Sequence, residues 1–514
     1  MLADRQRAYA GEVPSETRSR PANGGASSHR GWLTRLLHRP PPPTVGLVLS
    51  GGRSGAFFEL GALHYLYEKV GIAPSVITGT STGSILATLL AQADDHAGQR
   101  RILGDIERLS QSLRQHSDML TELAWYAELQ KLMPAWQKTL TAPPAPHNDS
   151  RTITLPSLGL RSRRRGNNGK EEVAGGATIK LPGFDRSPVL DMLSMIWTVR
   201  RSGTNIDTLL HGARRERSMF QPGPIFDVLL NPGVLDPERL AQSRTQLRIA
   251  VVALESGELR YVTEAGGLVD RENRPIPTDA PLSVVNAVLA SCAIPGLLPP
   301  VRLGEEHYID GGTRESAPVQ VAMTHLGVDR CYAVIAMPRG LARESSYADK
   351  DMLSIVLRSA AGIMADEILL NDVARARAAG AIVIAPEVNL IDVLGVDPGL
   401  LSISMDYGYV RAAEACQGAT RDQERLTRDV VEMRRQIWTT ENSIFRPNSG
   451  TDGVRPYGQP DLAALKRQLR DLVAQMPADR LPSGAGHWLR GWESHPYQIT
   501  EPPSWTEDDA RSRP

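Results

Sequence analysis

Twice between Thr44 and Ala93 the chain runs a short apolar stretch into a cluster of very small residues and then into a helical pattern. The first pass reads TVGLVL, SGGRSGA and FFELGALHYLYEKVG, closed by Gly71. The second reads SVITGTSTGSILATLLAQA, with strand character over SVIT, helix character from GSIL onward and a hydroxyl-rich turn between them. An apolar run without alternation is the pattern of a strand buried on both faces. A β-loop-α-β-loop-α order requires parallel strands with helices packed on the faces of their sheet. The predicted fold class is therefore α/β, with a mostly parallel central sheet.

The sheet pattern resumes after a long middle segment. QLRIAVVAL, the turn ESGE and LRYVTE predict a hairpin. LSVVNAVLASCA predicts a helix, CYAVIAM and AIVIAP predict two strands, and a helical stretch covers roughly 351–379. Residues 97–240 read as less regular helix, broken at about 142–176 by a low-complexity stretch containing RSRRRGNNGKEE, an expected exposed insertion loop. Residues 1–43 are rich in Arg, Ser, Gly and Pro and predict a disordered basic arm. Its segment GWLTRLLHR could lie on a membrane surface as one amphipathic turn, but an ordinary tail is the preferred reading. The main domain is expected over 44–419, followed by a helical C-terminal extension and tail over 420–514. In that extension Leu462, Leu465, Leu469, Leu472 and Met476 form one stripe, read as docking onto the protein's own domain in preference to dimerisation.

Composition narrows the function classes. Hydrophobic residues make up 41% of the 514, enough for a globular core. Acidic and basic residues balance at 58 each, so no net field attracts nucleic acid, and no nucleic-acid partner is expected. Three widely spaced cysteines, Cys292, Cys331 and Cys416, argue for a reducing compartment rather than a disulfide framework. The first residues lack the apolar run of a secretory signal, and no clean 18-residue apolar window is present. The expectation is a soluble, cytoplasmic protein, with peripheral membrane contact left open.

The chemistry concentrates in three places. Gly79-Thr80-Ser81-Thr82-Gly83 fits G-x-S-x-G with a buried strand before it and a helix after. A nucleophile held on such an elbow crowds its neighbours, which is why Gly79 and Gly83 are wanted on either side. Ser81 is the candidate nucleophile, and the alternative reading is a plain strand-to-helix turn. A serine hydroxyl also needs a base and an oxyanion hole. The loop SGGRSGA offers the backbone N–H groups of Gly51, Gly52 and Arg53 for the latter. It contains no G-K-[ST] and no G-x-G-x-x-G, so it is neither a P-loop nor a dinucleotide fingerprint. HYIDGG ends a predicted strand in Asp310, with Gly311 and Gly312 allowing a sharp turn behind it. A free aspartate is a weak base at about 3.9, and partial burial would strengthen it. An ordinary Asp-Gly turn is the competing reading.

These segments, GLVLSGG with its helix, GTSTGS, and ASCAIPGLLPPVRLGEEHYIDGGTRESAPVQVA, resemble the patatin-like phospholipases in order and context. MDYGYVRA at 405–412 looks like that family's closing helix. The resemblance covers about 44–415, with the middle segment matching poorly. It implies a three-layer α/β/α sandwich and a Ser–Asp dyad without histidine, with Ser81 as nucleophile, Asp310 as base and residues 51–53 as the oxyanion hole. One departure stands out. The family loop reads G-G-G-x-[RK]-G, whereas here Arg53 holds the third glycine position, Gly55 the basic one and Ala56 the last glycine.

His307, three residues before Asp310, is the rival base, yet alternation along a strand sends the two side chains to opposite faces. No H-E-x-x-H cluster is present, and neither a metal nor a cofactor is expected. The resulting expectation is a serine lipid acyl hydrolase acting on phospholipids or related acyl esters through an acyl-enzyme. The alternatives are an acyltransferase on the same dyad and a non-catalytic lipid-binding or regulatory protein suggested by the altered loop.

Overall fold

The apolar run after Thr44 forms the first described strand. The computed structural model describes residues 43–52, 55–110, 115–129, 216–341, 343–348, 350, 352–390, 396–445 and 462–489. The chain divides into a unit ending at Pro43 and one beginning at Thr44. The expected basic arm, the insertion at 142–176 and Arg53 lie outside the described residues.

The strands are β1 (Val45–Leu49), β2 (Val76–Gly79), β3 (Leu120–Glu122), β4 (Phe220–Pro222), β5 (Gln246–Ala253), β6 (Leu259–Thr263), β7 (Leu268–Val269), β8 (Pro275–Ile276), β9 (Val301–Leu303), β10 (Glu306–Asp310), β11 (Arg330–Val334) and β12 (Ile382–Ile384). The described helices used below are α1 (Ala56–Tyr65), α2 (Thr82–Leu90), α3 (His96–Ser110), α4 (Val284–Ser291), α5 (Met352–Leu357), α6 (Ala365–Ala378), α7 (Pro398–Gln417), α8 (Arg421–Phe445) and α9 (Leu462–Val473).

The main sheet runs β12-β11-β1-β2-β5-β6-β7-β8. From β12 to β5 every pairing is parallel, as the apolar runs require. Beyond β5 the pairings are antiparallel, starting with the predicted β5–β6 hairpin. The β9–β10 hairpin adds to β5 antiparallel. Strands β3 and β4 form a separate two-stranded sheet. Three-residue strands carry too little pattern to be read from sequence, and these two are parted by the long middle segment.

Successive residues of a strand face opposite sides, and the two sides of the sheet bury different partners. Leu47, Leu49, Ile77, Leu247, Ile249 and Val251 pack with α1, α2, α4 and α7. Val48, Val76, Ala333 and Ile335 pack with Ala317, Val319 and α6 on the other side. This is the three-layer sandwich. Helices α1 and α7 touch through backbone: a Cβ on Gly61 would fall 1.7 Å from Met405 O, and one on Gly408 2.0 Å from Phe58 O. Side chains at either glycine would therefore push the helices apart. The C-terminal stripe of Leu462, Leu465, Leu469 and Met476 packs in a cluster with Val430 and Ile437 of α8 and Val410 of α7.

Candidate active site

The elbow follows from β2 stopping at Gly79 and α2 starting at Thr82. Ser81 sits at the corner with φ 54° and ψ −134°. Among the described non-glycine residues only Ser81 and Asn273 have positive φ. Such a backbone costs on the order of 1–3 kcal/mol and persists only where its surroundings hold it. Both flanking glycines are dictated by space. A Cβ on Gly79 would lie 2.6 Å from Gly83 O, and one on Gly83 would lie 2.6 Å from both Gly51 N and Leu49 O.

The five hydroxyls of TGTSTGS separate into distinct roles. Thr78 Oγ1 donates to Pro318 O (3.2 Å) and Thr80 Oγ1 to Glu315 O (3.3 Å), fastening the turn to the segment after Asp310. Thr82 Oγ1 accepts the Gly52 N–H at 3.0 Å. Ser84 Oγ donates to Ser81 O at 2.6 Å. Ser81 is 8% exposed, and its hydroxyl stands at the corner between these tethers.

Asp310 reaches the same place from the opposite direction. One edge of β5 pairs with β6. Along the other edge β2 runs parallel, ending with Gly79 opposite Ile249, while β10 runs antiparallel, ending with Asp310 opposite Val251. The two strands therefore approach each other head-on and stop two β5 residues apart, roughly 7 Å at the usual strand rise. Asp310 is 5% exposed, and its Oδ1 accepts the Gly312 N–H at 2.8 Å. Gly311 lies against β5, where a Cβ would be 2.5 Å from Ala250 O. Asp310 also faces Cys292: burial first, and then the Asp310 charge, push that thiol well above the ordinary range. Behind this loop Asp372 Oδ2 accepts the N–H groups of Ser316 (2.7 Å) and Ala317 (3.2 Å). Glu315 accepts the Tyr261 hydroxyl, and burial lifts its carboxyl to about 7.

The Gly-rich loop is tied down from inside. The Gly51 N–H donates to Glu59 Oε1 at 3.0 Å, and the Gly52 N–H is held by Thr82. Glu59 belongs to α1 and is 0% exposed, and its Oε2 has no hydrogen-bond partner among the described residues. Burial pushes this carboxyl from 4.5 up to about 8. In the unfolded chain it ionises near 4.5, so between those values the folded protein holds the extra proton, and stability falls as pH rises through that window. Glu59→Gln keeps the acceptor for Gly51 and removes the titration. Denaturant unfolding at pH 5 and pH 8 should show the wild type losing more stability than Glu59→Gln, by a few kcal/mol at order of magnitude. Parallel pH dependence in the two proteins would exclude a buried neutral Glu59.

His307 lies well along β10 from its end. Its Nδ1 pairs with Glu255 Oε1 at 2.8 Å, and the residue is 34% exposed. Asp94 and Asp95 stand just before the start of α3: Asp94 accepts from Ser243 and Arg244, and Asp95 from Gly98. No group of three or more His, Cys, Asp or Glu among the described residues is arranged to hold a metal ion. None of the described helices is long and apolar enough to cross a membrane.

Two residues of the site were not picked out from sequence: Glu59, and Ser291, whose Oγ accepts the Ser81 N–H at 2.9 Å. Each is a polar residue inside an apolar helical run, AFFELGAL and VNAVLAS, and that was the available signal.

Residues 47–323, more than half of the chain, match the patatin-like phospholipase family. The chain belongs to that family. Patatin-like phospholipases are lipid hydrolases, and lipid esters are the substrate class at family level. No curated protein matches the chain. Among solved structures it is similar to VipD from Legionella pneumophila, at 14% identity over 90% of this chain and 94% of that one, with a TM-score of 0.28. It is also similar to the type III effector protein ExoU, at 14% identity over 87% and 71%, with a TM-score of 0.22. A third likeness is to the full-length SpcU–ExoU complex from the type III secretion system of Pseudomonas aeruginosa, at 14% identity over 87% and 70%, with a TM-score of 0.19.

Proposed function

We propose that this patatin-like protein is a serine lipid acyl hydrolase working through Ser81 and Asp310. The observation that carries the reading is the head-on approach of β2 and β10 along one edge of β5, with Gly79 and Asp310 at the facing ends. Ser81 Oγ attacks the ester carbonyl as Asp310 takes its proton. The tetrahedral intermediate collapses, the carbon–oxygen bond to the alcohol breaks, and Asp310 returns the proton to the leaving oxygen. Water then gives a proton to Asp310 and adds to the acyl-enzyme, and the fatty acid leaves as Ser81 recovers its proton. The oxyanion is received by the 51–53 loop. Gly52 exchanges its bond to Thr82 for one to substrate, Arg53 supplies a second N–H, and Gly51 anchors the loop on Glu59. An acyltransferase differs only in the acceptor, an alcohol replacing water.

Peripheral contact with a lipid surface belongs to the same proposal. Ile355 and Val356 of α5 and Ile363 and Met364, which follow it, are exposed apolar side chains. They continue from the segment carrying Met337, whose Cγ would lie 2.7 Å from a Cβ on Gly52.

The engagement of both Gly51 and Gly52 N–H groups within the protein favours a second reading, a lipid-binding protein without turnover. A fluorophosphonate probe separates the two. Covalent labelling mapped by mass spectrometry to the peptide containing Ser81 is expected for the hydrolase. An unlabelled protein that still binds phospholipid vesicles would establish the binder. Adding glycerol during turnover and weighing acylglycerol against free fatty acid distinguishes transfer from hydrolysis.

A further inference from the structure

The edge of β5 that carries β2 follows a regular parallel ladder. Gln246 N–H donates to Ser75 O at 2.9 Å, which fixes Gln246, Arg248 and Ala250 as the residues whose backbone faces β2. In a parallel pair each facing residue bonds the neighbours on either side of its partner. Continued without a break, the ladder would bring the Ser81 N–H to Ala250 O. Instead a side chain stands between them. Ser291, the last residue of α4 and 0% exposed, accepts the Ser81 N–H at 2.9 Å and donates to Ala250 O at 2.7 Å.

That hydroxyl occupies the break between the two converging strands. Gly311, directly after Asp310, lies against the same Ala250 carbonyl. One buried oxygen thus lies at the root of both the elbow and the Asp310 turn, with Ser291 filling the gap that opens as the chain leaves the strand for the corner. A buried donor left unsatisfied there is costly, on the same scale as the strain held in the Ser81 backbone. Without the hydroxyl the cheapest repair is for the Ser81 N–H to close on Ala250 O, which pulls the corner back toward the strand and the nucleophile away from its base.

We infer that Ser291 is a positioning residue, a hydroxyl inserted into the sheet ladder that holds Ser81 in its strained corner and so sets its alignment with Asp310. The inference rests on Ser81 being the nucleophile, as proposed above. A misplacement of about 1 Å at a reacting group can cost on the order of 10²-fold in rate.

The test is Ser291→Ala, read on the full-length protein with a short-chain nitrophenyl ester and with fluorophosphonate labelling of Ser81. Expected is a fall in kcat of about 10²-fold with KM changed little, and a matching fall in the Ser81 labelling rate. Ser291→Thr, which restores a hydroxyl, should recover part of both. Should the alanine variant fail to fold, Ser291→Cys preserves the volume with a far poorer hydrogen-bonding group and should show the same fall. A folded Ala or Cys variant with kcat and labelling within about twofold of wild type, in a wild type that is labelled at Ser81, overturns the positioning role. A wild type that is not labelled at Ser81 overturns the nucleophile itself, and the inference with it.

Discussion

Replacing Ser81 with alanine is expected to lower ester hydrolysis by about 10³-fold or more while leaving the fold intact. The loss follows from removing the only atom proposed to bond the acyl carbon. The fold survives because the tethers on either side of the corner come from other groups: Thr78, Thr80, Ser84 and the Ser81 backbone itself. Alanine keeps the strain at φ 54°, so the unfolding midpoint should barely move. Ser81→Gly should be equally inactive yet more stable by about 1 kcal/mol, since glycine enters positive φ without a Cβ clash. Nitrophenyl ester kinetics and denaturant unfolding of the three proteins check both halves. Wild-type turnover in the alanine variant would end the assignment, and a glycine variant no more stable than alanine would show that the corner is not strained.

Asp310→Asn is expected to be nearly as damaging, with kcat down by about 10³-fold, because an amide cannot take the serine proton. Asparagine retains an oxygen for the Gly312 N–H, so the turn behind it should persist. His307→Ala should keep most of the activity, its ring being engaged by Glu255 near the other end of β10. A histidine-based triad predicts the reverse ranking. Single replacement of each of the eleven histidines, with kcat measured on one ester, decides the matter. One histidine variant as inactive as Ser81→Ala, beside an active Asp310→Asn, would exclude the dyad.

The layered fold was legible because its signals are local. TVGLVL and SVIT are apolar without alternation, and each is followed by tiny residues and a helical period, so parallel strands under helices were the available solution. The elbow was legible for a similar reason: G-x-S-x-G encodes a steric demand that the two glycines meet within five residues, and their crowded neighbourhoods account for both. Asp310 could be picked out as a carboxylate closing a strand, but its proximity to the elbow could not. The head-on meeting of β2 and β10 on β5 depends on the register of three strands spread over more than two hundred residues of sequence, and register is set by pairing that no single segment contains.

The short antiparallel strands β7, β8 and β9 and the β3–β4 pair were hidden for want of length, two- and three-residue strands having no period to read. Glu59 and Ser291 were hidden for a different reason. Each looked like one polar residue on an apolar helix, and what each does was decided by the backbone group placed opposite it: the Gly51 N–H in one case, the Ser81 N–H and Ala250 carbonyl in the other. The sequence by itself determined the longer strands, the helices that follow them and the corner, because sterics and apolar period act between near neighbours. Tertiary structure alone decided which polar groups met, because a buried hydrogen bond is specified by both of its ends.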